Sequence, residues 1–158
     1  MWGIMNINEK KSFDVIVIGG GAAGMMAAIT AASNGADTMI LEHKDRVGKK
    51  ILSTGNGKCN YTNELQGVTY YRGDDPAFVL PVMEQFGFDE TVSFFEKLGI
   101  YPKNRNGYYY PASEQAASVL DVLRMELTFR HVSVVTECEL RNISEKKNLS
   151  LIHIWRCR

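Results

Sequence analysis

The run Gly19-Gly20-Gly21-Ala22-Ala23-Gly24 constrains this chain more than any other feature, because clustered glycines disfavour helix and strand interiors and mark a turn of unusual geometry. It follows Phe13-Asp14-Val15-Ile16-Val17-Ile18, a short run rich in β-branched residues that reads as a buried parallel strand feeding the turn. Residues 25–34 then supply helix formers, and Gly35 is a natural left-handed stop just beyond them. Thr38-Met39-Ile40-Leu41 reads as a second strand and ends in Glu42.

Strand, glycine turn, helix, strand and acid in this order match a βαβ dinucleotide unit, and each position has a mechanical reason. Gly19 allows the turn, Gly21 lets backbone approach a pyrophosphate, and Gly24 lets the helix lie close on the strand. The N–H groups at the start of the helix, those of Ala22 and Ala23 among them, favour an anion. Glu42 stands 18 residues after Gly24, the spacing at which a carboxylate accepts from adenosine ribose hydroxyls and disfavours a 2′-phosphate. His43 follows it and joins the candidate cofactor-facing residues. The fingerprint alone leaves FAD and NAD both open, and glycine turns also follow strands in folds that bind nothing.

Directly after the acid comes a polar, glycine-rich stretch, Gly48-Lys49-Lys50-Ile51-Leu52-Ser53-Thr54-Gly55-Asn56-Gly57-Lys58-Cys59-Asn60-Tyr61-Thr62-Asn63, too irregular for a helix or strand. Lys50 and Lys58 can offset phosphate charge, Gly55 and Gly57 admit backbone donors, and Thr54, Asn60 and Thr62 add neutral hydrogen-bonding groups. This stretch resembles the hallmark of the BaiN-like, aminoacetone-oxidase-like FAD-binding flavoproteins, close to GRKLLISGGGRCNVTN. Gly48, Lys50, Gly55, Gly57, Cys59, Asn60, Thr62 and Asn63 match it, Thr54 stands for Ser, Lys58 for Arg, and Asn56 for a glycine. Asn tolerates the left-handed geometry, so that departure is mild.

The resemblance runs from Asp14 to about Lys147. It implies an α/β, Rossmann-type FAD-binding fold with a parallel sheet and a helical and hairpin insertion at about residues 69–111, truncated at its carboxyl end. It also implies that the polar loop wraps FAD, that Leu140 lies where backbone contacts adenine, and that NAD(P)H or O2 is a second partner. Family members are associated with amine oxidation and with reduction of carbon–carbon double bonds, in steroid-like and RNA substrates among others. The expected activity of the intact protein is therefore flavin-dependent hydride or two-electron transfer on an unidentified small molecule, with catalytic residues outside this chain. A dinucleotide-binding module without catalysis and an NAD-only dehydrogenase are the alternatives, and the second leaves residues 54–63 unexplained.

The remaining segments read as scaffold. Asp89 is positioned to cap a helix over residues 90–98 that Gly99 stops, with Val92, Phe94, Phe95 and Leu98 apolar. Asn106-Gly107 between Ile100-Tyr101-Pro102 and Tyr108-Tyr109-Tyr110 predicts a hairpin whose tyrosines form a half-buried face. Ser113 precedes a helix carrying Ala116, Ala117, Leu120, Leu123, Met125 and Leu127, and residues 132–135 read as a third parallel strand. Cys59 invites a redox reading, but it has no CxxC partner, so a structural or cofactor-lining role is preferred. His43 and His131 fit no metal or triad pattern.

Composition narrows the class. Basic and acidic side chains balance at 18 each in 158 residues, which gives no electrostatic footprint for nucleic acid and fits about one domain. No apolar run is long enough for a membrane span. Residues 1–12 read as an untargeted leader, and three widely spaced cysteines suit a reducing cytoplasm. Residues 13–148 form the expected amino-terminal part of the FAD-binding domain. Residues 149–158, LSLIHIWRCR, resemble the translation of a sequencing-library adapter with its TGA read as Trp155, and are expected to be non-native; a genuine apolar strand over residues 149–155 is the alternative.

Overall fold

The computed structural model describes residues 12–146 and 149–157; residues 1–11, most of the leader, and residues 147, 148 and 158 lie outside the described residues. The chain divides into two compact units, Met1–Lys49 with Leu123–Arg158, and Lys50–Val122. The expected insertion, residues 69–111, falls inside the second.

In the first unit, strand β1 (Val15–Ile18) leads through the glycines into helix α1 (Ala22–Ser33) and strand β2 (Thr38–Leu41). β1 and β2 pair in parallel from Val15↔Thr38 to Ile18↔Leu41. Strand β6 (Ser133–Val135) pairs in parallel with β2, so the sheet order is β1-β2-β6 and the fold is α/β with a parallel sheet. α1 ends on Asn34, with Gly35 at φ +87 turning the chain toward β2. Thr38, Ile40 and Leu41 of β2 are buried. β1 is not the fully buried strand its β-branched run predicts: it pairs on one side only among the described residues, and Ile18 is 49% exposed. Beyond β6, β7 (Cys138–Lys146) and β8 (Leu149–Cys157) form an antiparallel ladder with register shifts between Cys138 and Asn142. The backbone of Leu149–Cys157 is extended along β7.

The second unit is built on an antiparallel sheet of order β3-β5-β4, from β3 (Thr62–Asn63), β4 (Pro102–Arg105) and β5 (Tyr108–Pro111). β4 and β5 form the expected hairpin: Asn106 and Gly107 have φ 53 and 87, the pair of left-handed residues that a tight two-residue turn needs. β3 is too short to show in a sequence and is held by Tyr61 N–H donating to the Tyr109 carbonyl. Helix α2 (Leu80–Gln85) buries none of its residues, while α3 (Phe88–Lys97) buries Phe95. The start of α3 corrects the expected cap. Gly87, not Asp89, is the N-cap; Glu90 reaches back to accept from Gly87 N–H at 2.9 Å, and Gly99 at φ +87 stops the helix as expected.

Helix α4 (Ala116–Phe129) runs from the second unit into the first. Its buried stripe is Ala116, Val119, Leu120, Leu123 and Leu127, the i, i+3, i+4 spacing of one helix face. Met125 is 69% exposed and Ala117 is exposed, so neither joins this stripe; a step of two residues from Leu123 turns Met125 to the opposite side. Among the described residues no helix is long and apolar enough to cross a membrane.

Candidate functional site

The glycine turn is fixed in detail. Gly19, at φ +94, donates its N–H to the Leu41 carbonyl at 2.8 Å and so closes the end of the β1-β2 ladder. Gly24 faces the Gly19 carbonyl and Val17, and a Cβ there would collide with the carbonyl, the close helix–strand approach expected of it. Gly21 is different: at φ −74 it strains nothing, and no atom lies within 4 Å of where its Cβ would stand. It is the N-cap of α1 without any side-chain cap, the first turn holds no acid, and Gly21, Ala22 and Ala23 are exposed. The first backbone bond of α1 is Met25 N–H to the Gly21 carbonyl, so the N–H groups before it have no helical acceptor. Open donors, a positive helix end and clear space over Gly21 are what a diphosphate requires.

Gly20 is the residue the sequence reading missed. It is buried, its N–H donates to Glu42 Oε2 at 2.6 Å, and its carbonyl accepts from Gly48 N–H at 2.6 Å. The Val47 side chain occupies the place a Cβ would need. Three neighbouring glycines were the visible signal, but the need arises from residues more than twenty positions away.

Glu42 is oriented from both ends of its carboxylate: Oε2 accepts from Gly20 N–H and Oε1 from Lys44 N–H at 2.7 Å. Each oxygen keeps a second lone-pair direction for a hydroxyl donor. Its backbone N–H donates to Val135, and its carbonyl accepts from Cys138 at 2.9 Å, which ties the end of β2 to the strand carrying Leu140. His43 is exposed beside it; Leu140 is half-buried on β7.

The second unit places the polar loop. Residues Lys49–Gly57 form 3-10 turns broken at Thr54, Gly55 and Asn56, a more ordered segment than the irregular loop expected. Gly55 (φ 54), Asn56 (φ 55), Gly57 (φ 80) and Cys59 (φ 59) are all left-handed, so the Gly-to-Asn departure sits in geometry that Asn accepts. Gly55 is irreplaceable, since a Cβ would stand 2.6 Å from Asn60 N. Thr54 donates to the Ile51 carbonyl and receives Cys59 N–H, and the Asn60 side-chain amide bridges the Thr62 and Tyr109 carbonyls at 3.2 and 3.1 Å. Asn60 thereby spends its donors on backbone and offers a ligand only its oxygen. Thr62 is half-buried and Lys50 exposed.

Lys58 is not an isolated cation: Glu114 gathers Lys58 at 3.8 Å, Lys103 at 3.0 Å and Arg105. Cys59 is buried, and burial pushes its thiol above the ordinary cysteine range against the opposing bond with Thr54, so it is held as a thiol. That argues against a reactive role. Tyr61 packs on Phe95 at 4.9 Å and Tyr109 on Phe88 at 4.8 Å, as a hydrophobic face does. His131 is exposed.

Comparison with known proteins identifies the family and the fold. The HI0933-like protein Rossmann domain matches residues 13–156. The 3-dehydro-bile acid delta(4,6)-reductase of Clostridium scindens is 52% identical over 122 residues, 76% of this chain and 30% of that protein. The ribosomal RNA dihydrouridine synthase of Escherichia coli is 28% identical over 134 residues, 85% of this chain and 31% of that protein. The chain therefore spans about a third of the length of these relatives. Among solved structures, a flavocytochrome c3 fumarate reductase superposes with TM-score 0.67 at 16% identity, over 90% of this chain and 29% of that one. The 3-ketosteroid-delta4-(5alpha)-dehydrogenase from Rhodococcus jostii RHA1 gives 0.62 at 14%, over 94% and 45%. These two share the fold. With the family match spanning both the glycine turn and the polar loop, the chain belongs to the HI0933-like family and carries its FAD-binding Rossmann domain.

Proposed function

We propose that this chain is the FAD-anchoring part of a flavin-dependent oxidoreductase that acts on a small molecule, with NAD(P)H as the electron donor. The observation that carries the anchoring role is the turn itself: open N–H donors at the uncapped start of α1, clear space over Gly21, and a Glu42 carboxylate held beside it by Gly20; the family match favours FAD over NAD as the dinucleotide. The N–H groups of Gly21, Ala22 and Ala23 receive the diphosphate, and Glu42 accepts from the ribose hydroxyls. Gly19 and Gly24 set the turn that aims them.

His43 and Leu140 complete the adenosine side, a reading supported by the backbone bonds that tie Glu42 to residues 135 and 138. The second unit, taken by itself, carries the polar loop that resembles the family's FAD-binding segment, and Lys50, Thr54, Gly55, Gly57, Lys58, Cys59, Asn60 and Thr62 are its candidate cofactor-facing residues. Bound FAD supplies hydride or two-electron transfer at its isoalloxazine ring. The chain's own residues bind and orient; the catalytic groups belong to the counterpart of the relatives' remaining length. Reduction is the favoured direction, because the relative 52% identical to this chain is named a reductase.

Titration of the full chain with FAD, FMN and NAD tests the assignment. FAD should bind about tenfold or more tightly than NAD, and FMN, which lacks the adenylate half, should not bind. Equal affinity for NAD and FAD would sink the flavin reading in favour of a nicotinamide site, and binding of none would remove the turn's proposed role altogether.

A further inference from the structure

We propose that Arg124, on α4, is a positioning residue for the glycine turn. Its guanidinium Nη2 donates to the Val47 carbonyl at 2.7 Å, across 77 residues of sequence. Val47 is 6% exposed, and its side chain lies against Gly20 where a Cβ would stand. The next residue, Gly48, donates its N–H to the Gly20 carbonyl. Val47 and Gly48 lie in a turn that belongs to no helix or strand ladder, so no regular hydrogen-bond pattern holds them in place. Arg124 supplies that hold.

The consequence reaches the site through one peptide. Gly20 is gripped at its N–H by Glu42, at its carbonyl by Gly48 and at its Cα by Val47. Two of those three grips come from the segment that Arg124 pins. Removing the guanidinium leaves the Val47 carbonyl buried without its donor, a state the segment escapes by moving toward water. Val47 then leaves Gly20, and the Gly20 N–H and Glu42 carboxylate lose their common register. Arginine suits the task because its planar, permanently charged donor holds a fixed direction. This inference rests on the reading of the turn as a dinucleotide cradle, but its structural half stands by itself.

The test is Arg124→Met, which keeps the apolar stem and removes the donor, with Arg124→Lys as the conservative partner. Two quantities are read on the full chain: hydrogen exchange of the Gly20 amide relative to the β2 amides, and affinity for FAD. Arg124→Met should speed Gly20 exchange about tenfold beyond any change in β2 and weaken FAD binding about tenfold, with Arg124→Lys restoring part of both. Unchanged Gly20 exchange, or a rise matched by the β2 amides, overturns the proposal, because a merely structural arginine loosens the whole unit together. Should Arg124→Met fail to fold, Arg124→Gln, whose shorter side chain falls back from the Val47 carbonyl, is read instead, and it too must free Gly20 selectively or the proposal fails. A chain in which Gly20 responds as expected while no variant, nor the parent, binds FAD keeps Arg124 as the turn's positioning residue and refutes the cofactor assignment instead.

Discussion

Adding one methyl group separates the roles of the glycines. At Gly24 the new Cβ would enter the Gly19 carbonyl, and at Gly20 it would enter Val47, so Gly24→Ala and Gly20→Ala should each cost about 1–3 kcal/mol of stability in urea unfolding. Gly21→Ala should leave stability nearly unchanged, since its φ is ordinary and the space is open, yet weaken FAD binding because the methyl group occupies the ligand's approach. Equal stability losses in all three would contradict this division. The roles of Gly19 and Gly24 were legible in the sequence because they belong to a local strand–turn–helix pattern. That of Gly20 was not, because Val47, Glu42 and Gly48 create it. Alkaline behaviour is a second test at this scale. Burial is the first cause holding the Tyr61 phenol up at about 12, with Glu96 adding to it, and burial likewise raises the Cys59 thiol. Both groups stay protonated in the fold longer than in the unfolded chain. Their stabilising effect is therefore complete below about pH 9 and is lost as pH rises, for Tyr61 between about 10 and 12. The Tyr61 hydroxyl is buried with no hydrogen-bond partner among the described residues. Tyr61→Phe should accordingly be neutral or slightly stabilising at pH 8 and should flatten the fall in urea midpoint between pH 10 and 11; an unaltered fall would refute the assignment.

Among the elements, turn and cap chemistry gives the sharpest expectations. Gly107→Ala should destabilise the chain by about 1 kcal/mol, because φ +87 disfavours a side chain and the Cβ would press on Glu64 at 3.1 Å. Glu90→Ala should cost about 0.5–1 kcal/mol by releasing the Gly87 N–H, whereas Asp89→Ala should cost less, since Asp89 does not cap α3. Both are read as midpoint shifts in urea. The hairpin, the parallel strands β2 and β6 and the helices α1 and α4 were legible because their periodicity or turn residues are local. β3 escaped notice, being two residues long and defined by its pairing with β5. The capping residue of α3 was misplaced by two positions because Asp is the commoner cap, and only the structure shows Glu90 reaching back to Gly87. The exposure of Ile18 has the same origin: β-branched content predicts a strand, but the number of its neighbours is a property of the sheet.

For the whole molecule, the candidate site was legible as a list and less so as an arrangement. The sequence named Glu42 and the left-handed loop residues, whereas the bonds that aim Glu42, the use of Asn60 as a backbone bridge and the Glu114 cluster around Lys58 all depend on long-range contacts. The chain spans about a third of its curated relatives, so cofactor binding is the property that its own residues answer for. The most direct measurement is to express the full chain, purify it without added flavin, and record its visible absorption together with the cofactor released on denaturation. The account predicts a flavin spectrum and released FAD, at a reduced level in Glu42→Ala. A folded, colourless protein that takes up no added FAD would contradict it.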